Sequence, residues 1–171
     1  MDIAQDLAEF EAVFDHTAVA ATRIRDLLPI YRDLLGGVFL GGGDTAHAGY
    51  RTAQFGYPGG NKIELMEPHA GSTFFDSFFE LTRGRGGVHH LNFHVNDIDA
   101  AVRTLRAQGY RLHGLNLADP RWREVFLHPK EAHGTLIQLA QPGGDHGDRA
   151  SMTLEDLLAG RGHRGNGQAS P

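Results

Sequence analysis

The chain contains no cysteine. Disulfide bridges and thiolate metal sites are therefore excluded, and the absence fits a reducing compartment. No apolar run approaches the length of a membrane span. Residues Met1 to Phe14 are acidic and lack the apolar core of a secretory signal. A cytoplasmic chain with no membrane partner is the expectation. A basic surplus is also missing: the formal net charge is −5. Nucleic-acid binders ordinarily carry a basic stripe, so nucleic acid is not an expected partner. A local basic pocket for a small anion stays compatible with this charge.

What the chain has in excess is histidine, 11 residues of 171. Imidazole titrates near neutral pH and is the commonest metal ligand. His146 and His163 stand in polar stretches and are expected to be solvated. A chain of this length buries roughly 70% of the surface it exposes when unfolded, so a real core is available.

Hydrophobic periodicity predicts the same order of elements twice. Phe14 to Ala20 reads as a strand, and Asp26 caps a helix that runs to Leu35, with Pro29 in its first turn. Strands follow near Val38–Leu40, Tyr50–Tyr57 and Lys62–Glu67. Phe74, Phe75, Phe78 and Phe79 fall at helical spacing and predict a linker helix that buries aromatics. Val88 to Val95 then reads as a strand, and Asp97 caps a helix to about Gln108. Strands follow near Tyr110–His113, Val125–His128 and Thr135–Gln141. The expected class is α+β, built from paired βαβββ modules. The organisation is an N-terminal extension over 1–12, a domain over 13–142 and a C-terminal extension over 143–171. Within the domain a module over 13–68 and a module over 87–142 flank a linker helix over 69–86. A short helix is expected near Ile3 to Ala12. The C-terminal extension holds a linker from Asp145 to Ala150, a helix over Met152 to Ala159 and a disordered tail from Gly160 onward.

The duplication picks out four residues. His16 and His90 stand 74 positions apart, and Glu64 and Gln138 stand the same 74 apart. Ile63-Glu64-Leu65-Met66-Glu67-Pro68 matches Ile137-Gln138-Leu139-Ala140-Gln141-Pro142 at that offset. Each of the four lies in an apolar strand and faces away from its most apolar neighbours, because side chains alternate along a strand. A carboxylate in such a place needs compensation, and a metal shared with two imidazoles supplies it. His89 competes with His90, but strand parity and the offset favour His90. The expected site is one divalent metal ion on His16, Glu64, His90 and Gln138. Cobalt, zinc, nickel, iron and manganese all suit this donor set, so its identity stays open.

These motifs resemble the vicinal oxygen chelate superfamily, which takes in glyoxalases, bleomycin-resistance proteins and dioxygenases. The stretches that carry the likeness are Asp15-His16-Thr17-Ala18-Val19-Ala20, Tyr31-Arg32-Asp33-Leu34-Leu35-Gly36, Lys62 to Pro68, Gly87-Val88-His89-His90-Leu91-Asn92-Phe93 and His128-Pro129-Lys130, with Gly134 to Leu139. Together they span Phe14 to Gln141, and within the superfamily they look most like methylmalonyl-CoA epimerases. The resemblance implies a curved, half-barrel-like mixed sheet around the metal and a homodimer. It also implies a metal-dependent isomerase, epimerase or glyoxalase-type lyase acting on a small carbonyl compound through a metal-stabilised enolate. An acyl-CoA thioester is one candidate substrate. The family places glutamate where this chain has Gln138, and an amide does no acid–base work near neutral pH. The family's other base falls in a region that here holds Asp44, His47 and Tyr50. Glu64 and His94 are the candidates for moving the proton, and Lys130 is a candidate contact for an anionic group. A non-haem iron oxygenase and a non-catalytic binding or resistance protein are the alternatives on the same fold.

Overall fold

The computed structural model describes residues 9–45, 48–143 and 152–161. Most of the helix expected near Ile3 to Ala12, His47, the linker over Asp145 to Ala150 with His146, and the tail beyond Arg161 with His163 lie outside them. Among the described residues eight strands form: β1 (Ala12–Ala20), β2 (Val38–Thr45), β3 (Tyr50–Gly56), β4 (Lys62–Pro68), β5 (Gly87–Val95), β6 (Leu112–Asn116), β7 (Trp122–Leu127) and β8 (Ile137–Pro142). Among the described residues there are also three α-helices, α1 (Asp76–Leu81), α2 (Ile98–Ala107) and α3 (Leu154–Leu158), the last following β8. The strands are hydrogen-bonded in the order β2-β3-β4-β1-β5-β8-β7-β6, an open mixed sheet. Outward from the β1–β5 pair, each half runs first, fourth, third, second. The duplicated order of elements in the sequence thus becomes a duplicated topology, and the α+β class holds. Among the described residues no helix is long and apolar enough to cross a membrane.

The chain divides into two compact units, Met1–Ala18 with His89–His146, and Val19–Val88 with Gly147–Pro171. In the first, β8 pairs parallel with β5 and antiparallel with β7. The registers align His94, Ala140 and Glu124 in one row, and Asn92, Gln138 and Phe126 in another row on the same face. The alternate residues Phe93, Leu139 and Val125 point the opposite way. That apolar face meets α2, where Val95, Ile98, Ala101, Val102, Val125 and Leu139 are buried together. Each valine, leucine or isoleucine among them contributes roughly 1.5–3 kcal/mol by leaving water. The helix starts where its sequence predicts: Asp97 is extended and accepts a hydrogen bond from Ala100 N at 2.9 Å. One face is therefore spent on the core and the other is left to polar side chains.

In the second unit β2, β3 and β4 form an antiparallel meander. Ala53, Phe55 and Leu65 are fully buried and pack with Val19, Ile24, Leu28 and Leu157. The helix expected from Asp26 to Leu35 is not formed as such. A 3-10 turn covers Ile24–Asp26 and a π-helical turn covers Pro29–Leu34. Asp26 closes the first turn instead of capping the second, because Arg23 holds its carboxylate at 2.8 and 3.0 Å. Pro29 does occupy the first turn of the second segment. Gly37 follows, and a Cβ there would stand 2.4 Å from Tyr31 O and 2.9 Å from Tyr57 Oη. The Tyr57 hydroxyl donates to Tyr31 O at 2.7 Å, and burial pushes its phenol above its ordinary value. The linker helix is shorter than expected, only Asp76–Leu81. It holds Phe78 and Phe79 but not Phe74 or Phe75, and of the four only Phe75 is fully buried, while Phe74 is half exposed against Tyr50. The predicted C-terminal helix forms as α3, capped by Thr153, whose side chain accepts from Asp156 N at 3.1 Å.

Candidate metal centre

His16 on β1 and His90 on β5 come together. Both are almost wholly buried, 2% and 4% exposed, and their ring centroids lie 5.7 Å apart at 66°. Asp15 faces His16 Nδ1 with Oδ2 at 2.8 Å. A carboxylate there accepts a hydrogen bond from Nδ1–H, which leaves the lone pair of the neutral ring on Nε2. This is how metal-ligating histidines are commonly oriented. His90 Nδ1 stands 2.9 Å from His89 Nδ1, and a His90 that donates along this contact likewise carries its lone pair on Nε2. Of the two neighbours His90 is buried and His89 only half so. Two buried imidazoles with one nitrogen each set by a neighbour are a donor pair suited to zinc, cobalt, nickel or iron.

Gln138 lies on β8, 7% exposed, directly across from Asn92 on β5. Its Oε1 accepts from Asn92 Nδ2 at 2.7 Å, and its Nε2 donates to Glu124 Oε2 at 2.6 Å. Trp122 Nε1 donates to the same Glu124 oxygen at 2.8 Å. Asn92 is fully buried, and its Oδ1 meets no hydrogen-bond partner among the described residues. His94 is about one-third exposed, with Nδ1 3.5 Å from Asp15 Oδ1 and its ring edge-on to Trp122 at 5.9 Å. Sequence reasoning assigned no role to Asp15, Trp122 or Glu124. For the last two the missed signal is the start of β7, which opens at Trp122 and not near Val125. With that boundary, parity places Trp122 and Glu124 on the face of Phe126 and Gln138.

Glu64 stands on β4 of the second unit, across from Gln54, whose Nε2 donates to Glu64 Oε1 at 3.3 Å. Leu65 beside it is fully buried on the core face, as alternation requires. In the region where the family resemblance implies a further base, Asp44 is held in an ion-pair cluster. Its oxygens lie 3.3 Å from Arg51 Nη2 and 3.0 Å from His69 Nε2, and Arg51 also meets Glu67 at 2.7 Å. Tyr50 packs its ring on Phe74 at 4.6 Å. Lys130 is exposed in the turn after β7.

The model of the Glyoxalase/Bleomycin resistance protein/Dioxygenase superfamily matches residues 15–126, more than half of the chain. The chain belongs to this superfamily. Its likeness within the superfamily runs to epimerases. It is 30% identical over 132 residues to the ethylmalonyl-CoA/methylmalonyl-CoA epimerase of Cereibacter sphaeroides, covering 74% of this chain and 96% of that one. It is 28% identical over 134 residues to the mitochondrial methylmalonyl-CoA epimerase of Dictyostelium discoideum, covering 74% and 76%. The crystal structure of methylmalonyl-CoA epimerase from Mycobacterium tuberculosis is 33% identical, with a TM-score of 0.65, covering 76% of this chain and 87% of that one.

Proposed function

We propose that this chain is a metal-dependent epimerase that moves the proton α to the carbonyl of an acyl-CoA thioester. The observation that carries this is the buried His16–His90 pair with Asp15 on His16 Nδ1, in a chain similar to acyl-CoA epimerases. His16 and His90 hold one divalent metal in this account, with Glu64 and Gln138 as the oxygen donors that the 74-residue offset assigns. When bound, the metal supplies Lewis-acid stabilisation of the negative charge that develops on the substrate oxygen. Asp15 fixes the His16 tautomer, and its second oxygen orients the His94 ring by Nδ1. His94 is the proposed base for the α-proton, with Glu64 the other candidate. The pairing of chains as a homodimer belongs to the same proposal. Leu34 and Val38, 77% and 66% exposed, are apolar surface that association would cover.

The test is proton exchange. A 2-methyl-branched acyl-CoA incubated in deuterated water with the metal-loaded chain is expected to gain deuterium at the α-carbon. A His94→Ala variant should lose about 10²- to 10⁴-fold of that rate, the usual contribution of a positioned base. Mass spectrometry reads the exchange. A fully metal-loaded chain that leaves the α-proton in place refutes the proposal.

A further inference from the structure

A carboxyl group offers a metal two equivalent oxygens, whereas an amide offers one oxygen and one NH2 with no lone pair to give. Where the family resemblance places glutamate, this chain therefore needs something to decide which end of Gln138 faces which way. Glu124, opposite Ala140 on the neighbouring strand, does this. An ionised carboxylate accepts and cannot donate, so the half of the Gln138 amide that it holds at 2.6 Å is the NH2. Trp122 Nε1 donates to the same oxygen at 2.8 Å and pins the carboxylate in place. The Gln138 oxygen is thereby turned toward Asn92 Nδ2, 2.7 Å away. A flipped Gln138 would set its oxygen against the Glu124 carboxylate oxygen, a repulsive contact at a site only 7% exposed.

We propose that Glu124 is a positioning residue: together with Trp122 it clamps the Gln138 amide so that Oε1 is the atom presented for a metal. This rests on the metal centre proposed above. It adds that the change from carboxylate to amide at position 138 is workable because a carboxylate stands one strand away to orient it.

Cobalt(II) titration of the full chain, followed by visible absorption, tests the clamp. Glu124→Ala is expected to weaken cobalt binding about 10- to 100-fold, the usual cost of losing a partner that orients a ligand. Glu124→Gln should keep the wild-type affinity, because the donor-only Trp122 Nε1 selects the amide oxygen at position 124 to accept both hydrogen bonds. In a Gln138→Ala background, Glu124→Ala should change nothing further, because the two act as one unit. The metal-free chain gives a second readout. The Gln138 side-chain amide signals in a nitrogen-15 correlation spectrum should shift in Glu124→Ala and stay in place in Glu124→Gln. Wild-type cobalt affinity in Glu124→Ala, an equal loss in the Gln138→Ala background, or unmoved Gln138 signals would each overturn the clamp. A wild-type chain that takes no cobalt overturns the metal centre itself, and the Gln138 signals then still decide whether Glu124 holds the amide.

Discussion

Asp15 is the residue whose part is clearest from geometry and least visible in sequence. Alternation sends its side chain to the face opposite that of His16. Even so, its carboxylate reaches the ring of its own neighbour at 2.8 Å, because the two are adjacent in the chain. Removing it frees the tautomer and the ring angle of His16. Asp15→Ala is therefore expected to lower metal affinity about 10- to 100-fold, measured by competition with a chromophoric chelator. Unchanged affinity would mean that His16 needs no such support. His16, His90 and Gln138 were legible because ligand-type residues recur at one offset in a duplicated chain. Glu124 was not, because its role depends on where β7 begins, and Arg123-Glu124 has no apolar alternation to mark that start. Asn92 shared a face with His90 in the sequence, but its partner across the strand pair emerges only from the register.

At the scale of elements, local signals succeeded where one residue had one plausible partner. Asp97 caps α2 as the sequence implies. Asp26 failed as a cap because Arg23, three residues before it, competes for the carboxylate. The aromatic run of the linker failed for another reason. Helical spacing describes which side chains can share a face, but only Phe75 finds enough neighbours to leave water. α3 shows how a five-residue helix is held despite its length. Its Leu157 is fully buried against the strands of the second unit, and Gly42 on β2 leaves the space: a Cβ there would stand 2.5 Å from Leu157 Cδ2. Leu157→Ala is expected to destabilise the fold by about 2–5 kcal/mol, the range for truncating a buried leucine. Chemical denaturation measures it, and a cost below about 1 kcal/mol would show that the site relaxes around the smaller side chain or that α3 contributes little.

For the whole molecule, the duplication accounts for both the fold and the site. Two copies of one element order give a strand order that reads the same outward from β1 and β5. They also set equivalent ligand-type residues at equivalent places, a histidine on the first strand of each copy and an oxygen donor on the last. The superfamily match over residues 15–126 takes in His16, Glu64 and His90. The central claim is that the His16–His90 pair holds one divalent metal. Its most direct test is elemental analysis of the purified chain after reconstitution with cobalt, zinc, nickel, iron or manganese, in the wild type and in His16→Ala and His90→Ala. The expected result is about one metal ion per wild-type chain and loss of that ion in both variants, since each removes one of the two nitrogen donors. Metal retained at the wild-type level by both variants would contradict the claim.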